Sequence, residues 1–157
     1  MKRISLTQGQ FAVVDDEDYE ELSKHKWHAC WRPHTQSFYA QRNIRLPNDK
    51  QATELMHRRI LGLERGDKRQ GDHIDHRTLD NRRSNVRIVT SQENHHNQRC
   101  NGYYWSNRDK KYRAQIVAND VAKYLGLFDT KEEARKAYLS AKRVLHPSAP
   151  IPKEKGA

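Results

Sequence analysis

Four side chains between positions 72 and 94 could do chemistry together. Asp72 and His73 are adjacent, Asn85 follows 12 residues after His73, and Asn94 lies nine further on. A carboxylate and an amide oxygen are hard donors that suit Mg²⁺ or Mn²⁺ and leave positions open for phosphate and water. An imidazole beside such an ion has a reference pKa near 6.5, so it is mostly neutral at physiological pH and can accept a proton from water. The ion would polarise a phosphate and stabilise charge on the leaving oxygen. The set is therefore equipped for one-metal hydrolysis of a phosphodiester, with Asp72 and Asn94 as candidate ligands and His73 as candidate general base.

Simpler assignments compete for the same residues. The run Gly71–Asp75 alone could be a turn with a surface histidine. His76, His95 and His96 could join His73 around zinc, although they read better as surface or DNA-facing residues. His57 lies near this stretch or is a packed helix histidine. Asp75, Asp80 and Asn81 look like loop-stabilising residues. Arg82, Arg83 and Arg87 are candidate phosphate contacts, or solvated charges.

These side chains need elements to hold them. Val86–Val89 reads as a strand, and Thr90 with Glu93 three residues later is a capping-box pattern that starts a helix through Asn94. Neighbours on a strand point to opposite faces, so Asp72 and His73 are expected at a distorted strand end. If the helix from Thr90 packs across the hairpin, Asn94 can face Asp72. The spacing predicts a further helix over Ala52–Leu61, amphipathic with a basic side. Before it, Phe11, Val13, Lys26–Arg32 and Tyr39–Ile44 look like strand pieces, and the acidic run Asp15–Leu22 like a short helix or turn. Residues 1–55 thus form a β-rich N-terminal scaffold, 56–99 the chemical core.

After residue 100 the pattern changes. Tyr103–Trp105, Tyr112–Ala118 and Lys123–Phe128 are candidate strands separated by turns at Asn107–Lys111 and Asn119–Val121. Thr130 and Glu133 form a second capping box. They open a helix with Ala134, Ala137, Tyr138, Ala141, Val144 and Leu145 on one face, stopped by Pro147. On the central strand Tyr112, Ala114 and Ile116 share one face, leaving Arg113 and Gln115 on the other. Arg and Gln can read guanine and adenine, and a sheet can enter the major groove. Exposed Tyr104, Trp105 and Tyr124 could stack on sugars. Residues 101–146 make this module, and 147–157 are expected to be a flexible tail.

Charge agrees with a nucleic-acid partner. The 157 residues carry a net charge of +10, but residues 1–56 balance at 8 basic and 8 acidic side chains, whereas residues 57–113 carry 14 and 7. A locally basic middle is the footprint of phosphate contacts. Hydrophobic residues make up 34% and charged residues 32%, too little apolar material for a large core. No run approaches a membrane span, and the N-terminus lacks the apolar stretch of a signal peptide. Cys30 and Cys100 make neither a disulfide framework nor a zinc knuckle. The expectation is a soluble protein of a reducing cytoplasm, in a bacterium or a phage-infected cell.

The run DHIDHRTLDNRRSNVRIVTSQENHHN (Asp72–Asn97) resembles the HNH homing endonucleases of phages and introns, and MHRRILGL (Met56–Leu63) resembles the helix that precedes the motif. The resemblance implies a ββα-metal core within an α+β protein. It makes His73 the general base, Asp72 and Asn94 the metal ligands, and Asn85 the central asparagine that pins the loop and orients the histidine. Asn94 stands where many HNH nucleases have histidine, which points to Mg²⁺ rather than Zn²⁺ or Ni²⁺. The pattern Gly102–His146 resembles the plant ethylene-response-factor type of DNA-binding domain. That implies a three-stranded antiparallel sheet backed by one helix and set in the major groove of double-stranded DNA. Its implied contacts are Tyr104, Arg108, Arg113, Gln115, Lys123 and Tyr124. The rival function is a non-catalytic sequence-specific DNA-binding protein with a degenerate nuclease motif.

Overall fold

The structure, a computed structural model, describes residues 1–98 and 100–150. It is a mixed α+β chain that divides into two compact units, Met1–Ser91 and Gln92–Ala157. Among the described residues no helix is long and apolar enough to cross a membrane.

In the first unit, strands β1 (Lys2–Ser5) and β2 (Phe11–Val14) pair as an antiparallel hairpin. Helix α1 (Asp16–Ser23) follows, with Asp16, Glu17 and Asp18 in its first turn, where carboxylates face the positive end of the helix dipole. Strands β3 (His28–Arg32), β4 (Ser37–Arg45) and β5 (Gln51–Leu55) make a three-stranded antiparallel meander. Helix α2 is short, Met56–Ile60. The chemistry-bearing hairpin pairs β6 (Gln70–His73) with β7 (Val86–Val89).

The helix expected over Ala52–Leu61 is half strand. Ala52, Thr53 and Glu54 pair with Ile44, Asn43 and Arg42 of β4, and Arg42 forms an ion pair with Glu54 across that ladder. Sheet pairing outweighs the modest helix preference of Ala, Glu and Leu, so the helix starts only at Met56. One core serves the whole unit: Ile4, Ala12, Val14, Leu22, Trp27 and Ala40 pack with Met56, Ile60 and Val86. The Trp27 indole N–H donates to the Leu22 carbonyl at 2.8 Å, so the ring is buried with its polar atom satisfied.

The second unit begins with most of α3 (Ser91–Asn97). Strands β8 (Tyr103–Ser106), β9 (Lys111–Ala118) and β10 (Val121–Phe128) form an antiparallel sheet with β9 in the centre. Asn119 and Asp120 both adopt positive φ, 52° and 60°, which makes a two-residue hairpin. β10 therefore starts at Val121, within the expected turn. Helix α4 (Lys131–Leu145) carries the reciprocal Thr130–Glu133 capping box and packs on β9 and β10. Its buried stripe is Ala134, Tyr138 and Lys142. Val144, expected on that face, is 77% exposed, because a stripe advancing by four residues reaches His146 instead. The tail expected to be flexible from Pro147 begins as a turn in which Ala149 N–H bonds the His146 carbonyl and Ala149 is buried. Its remainder, residues 151–157, lies outside the described residues.

Candidate active site

β6 and β7 set the site through their register, which places Asp72 opposite Arg87 and His73 opposite Val86. The ladder remains regular through His73, so strand alternation divides the neighbours rather than a distorted end bringing them together. Asp72 is 7% exposed and meets Arg87, whose Nε and Nη2 lie 3.0 and 2.9 Å from Oδ2. His73 is 4% exposed and lies among rings on the other side. The His57 imidazole of α2 packs edge-on to it with centroids 4.8 Å apart, and Tyr39 of β4 stands 5.9 Å away. Gly71 makes this possible: a Cβ there would sit 2.5 Å from His57 Cδ2.

Asn81 fixes the protonation of His73. The Asn81 amide N–H₂ donates to the Leu79 carbonyl at 3.2 Å, which leaves Oδ1 to accept from His73 Nε2 at 3.2 Å. A carbonyl can only accept, so Nε2 carries the proton and Nδ1 is the basic nitrogen of the neutral ring. Burial lowers the pKa of His73, opposed by the Asn81 hydrogen bond and by the charges of Asp72, Asp75 and Asp80. His57 is lowered to about 3 by burial and then by His73. Both rings are therefore neutral, and two imidazoles can share one pocket without repulsion.

The segment between the two strands is pinned from two directions. Asn85 accepts from the Asp75 backbone N–H at 3.2 Å and donates to the Asp80 carbonyl at 2.9 Å. From outside, the Val13 N–H bonds the Leu79 carbonyl at 2.9 Å and the Asn81 N–H bonds the Val13 carbonyl at 2.8 Å. The ring contact expected of Asn85 is made by Asn81, a residue that the sequence marked only as loop-stabilising. An Asn two residues after Leu79, at the point where the segment meets β2, was its one signal.

Arg82 and Arg83, like Arg87, are already engaged with acids. Arg82 grips Asp80 through Nε and Nη2 at 2.8 and 2.6 Å. Arg83 takes Asp18 at 3.0 and 2.7 Å and Glu17 at 2.7 Å. A phosphate contact from either would have to share or displace these carboxylates.

In the second unit, Asn94 is half-buried on α3. His96 of the same helix stacks on His146, with centroids 3.6 Å apart and planes 8° apart, and the His146 Nε2–H donates to the Val117 carbonyl at 2.8 Å. Ala114, Ile116 and Ala118 are buried on the α4 side of the sheet. The register sets Tyr104 and Leu127 against Arg113, and Tyr124 against Gln115, so these five share the outer face. The Arg113 guanidinium lies 4.9 Å from the Tyr124 ring centre. Lys123 departs from this set: it pairs with Ile116 and so occupies the face of the sheet that carries α4. Trp105 likewise pairs with Tyr112. Arg108 is in the β8–β9 turn, 85% exposed beside Asp109.

A divalent ion would be served by oxygen donors here. Among the described residues no three His, Cys, Asp or Glu side chains gather in a way that could hold one. The buried carboxylate of Asp72 fits a hard cation that keeps several waters, as Mg²⁺ does, rather than a cage built wholly from protein.

Comparison with known proteins gives one partial likeness. Over 70 residues, 43% of the chain, the sequence is 33% identical to a protein of Acanthamoeba polyphaga mimivirus named as an uncharacterized HNH endonuclease. The chain spans 37% of that relative's length. No protein-family model matches, and no solved structure matches. The likeness supports an HNH family for this chain.

Proposed function

We propose that this chain is a metal-dependent DNA endonuclease that hydrolyses a phosphodiester at the β6–β7 hairpin, with its second unit providing DNA contacts. The observation that carries the reading is His73: a buried, neutral imidazole whose Nε2–H is fixed by Asn81, next to a segment pinned by Asn85 and one residue along β6 from a buried carboxylate. It is strengthened by the likeness to a protein named as an HNH endonuclease.

In this reading His73 Nδ1 removes a proton from water. The hydroxide forms a bond to phosphorus as one phosphorus–oxygen ester bond breaks, and the leaving oxygen takes up a proton from solvent. Asn81 keeps the ring in the productive tautomer, and Asn85 holds the segment on which Asn81 rides. Asp72 would hold Mg²⁺ or Mn²⁺, which when bound supplies charge for the phosphate oxygens, and Asn94 keeps the role of second ligand that the HNH resemblance implies. The outer face bearing Tyr104, Arg113, Gln115 and Tyr124 has the residue types for groove contacts, with Arg and Gln for base edges and aromatic rings for the backbone.

Cleavage of supercoiled plasmid with Mg²⁺, Mn²⁺ or EDTA, for the parent and His73→Ala, tests this reading. Metal-dependent nicking that is lost in the variant is the expected outcome. Tight DNA binding by the parent without cleavage under any ion would replace it with a non-catalytic DNA-binding role.

A further inference from the structure

We infer that Arg87 is an exchangeable cation that occupies the Asp72 carboxylate until DNA arrives, and thereby couples metal binding to substrate binding. The inference rests on the proposal that Asp72 is a metal ligand. It starts from the register: Asp72 and Arg87 are directly opposed on β6 and β7, so the backbone itself brings them together. Both Nε and Nη2 of Arg87 converge on the same oxygen, Oδ2, at 3.0 and 2.9 Å. The Asp72 side chain is 7% exposed and that of Arg87 24%, so part of the arginine side chain reaches the surface although its Nη2 is buried against the carboxylate.

A buried carboxylate without a counter-charge is costly, and Arg87 removes that cost while no metal is bound. The same contact works against a divalent ion. The ion approaches an acid whose charge is already balanced, and it must then sit near a fixed positive charge. A DNA phosphate reverses the balance. It offers the planar guanidinium two non-bridging oxygens that can accept from it together, and it places a second negative charge where the ion needs one. Arg87 leaves Asp72 for the phosphate, and Asp72 becomes available to the ion. By linkage, DNA must then tighten metal binding by the same factor as metal tightens DNA binding.

The test is Mn²⁺ affinity, measured by the electron paramagnetic resonance of unbound Mn²⁺ on the full chain. It compares His73→Ala, which prevents cleavage, with the same protein carrying Arg87→Gln or Arg87→Lys, each with and without plasmid DNA. Without DNA, Arg87→Gln is expected to bind Mn²⁺ about tenfold more tightly, as expected when a competing charge goes. DNA should tighten Mn²⁺ about tenfold in the protein that keeps Arg87, and clearly less in Arg87→Gln. Arg87→Lys keeps the charge and should retain the weak affinity of the DNA-free protein. Unchanged or weaker Mn²⁺ binding in Arg87→Gln overturns the inference, because Arg87 would then merely support Asp72 as a ligand. If Arg87→Gln fails to fold, the absence of any DNA-dependent gain with Arg87 in place overturns it equally. Asp72→Asn separates this outcome from failure of the underlying proposal: if that variant binds Mn²⁺ like its parent, Asp72 is no ligand and both ideas fall.

Discussion

Acid should unfold the first unit through His57. This imidazole is 4% exposed, and burial together with the neighbouring His73 lowers its pKa to about 3. In the unfolded chain the same ring titrates near 6.5. Between those values the unfolded state binds a proton that the folded state refuses, so folding stability rises with pH there. The stability is fully present above about pH 6.5 and is lost progressively as pH falls toward about 3. At pH 4.5, about two pH units below the value of the free ring, the loss is about 2.7 kcal/mol at roughly 1.36 kcal/mol per pH unit. That is a large part of the 5–15 kcal/mol or so typical of a domain. The variant His57→Phe keeps a planar ring over Gly71 but has no proton to gain. Urea unfolding at pH 7.5 and 4.5, followed by tryptophan fluorescence, gives the loss for each protein. The parent should lose about 2.7 kcal/mol more than the variant. Equal losses would rule out His57 as the source, since the acid sensitivity would then belong to His73 or to the carboxylates.

Three further outcomes follow from the geometry. Asn81→Ala removes the acceptor that fixes His73 Nε2–H, so cleavage should fall about 10- to 100-fold while DNA affinity changes less than about twofold, as for loss of a positioning contact. Gly102 has φ +77° and a Cβ there would lie 2.0 Å from the Tyr138 ring; Gly102→Ala should destabilise the second unit by about 3 kcal/mol or more, seen as a lower Tm. Arg113→Gln, on the outer face of the sheet, should weaken DNA binding and reduce the slope of log affinity against log salt by about 1 if the guanidinium meets a phosphate, with Tm unchanged.

Much of the fold was legible wherever local chemistry decided it. The Thr130–Glu133 box and the alternation through Ala114, Ile116 and Ala118 are properties of a few neighbouring residues, and α4 and β9 stand where those residues put them. Gln51–Leu55 shows the limit: its residues suit a helix, and only β4 as a partner makes them a strand. The pairing of Asp72 with Arg87 was hidden for a similar reason, because the segment between the strands conceals the register. His57 could not be placed at all from sequence, since one histidine on a helix does not say which ring it will meet. Lys123 was named from a resemblance, which carries no register, so its pairing with Ile116 on the α4 side of the sheet was not legible.

The backbone bonds from Val13 to Leu79 and Asn81 have a consequence for engineering. Asn81 holds the candidate base and hangs from β2, so the nuclease hairpin is not a portable cassette. A graft of residues 56–99 into another scaffold would leave behind the strand that suspends Asn81, and with it six of the nine buried residues of a core that runs from Ile4 to Val86. Reprogramming of such a chain should therefore keep residues 1–97 as one piece, so that β2, the hairpin and Asn94 travel together, and exchange the module that begins at β8.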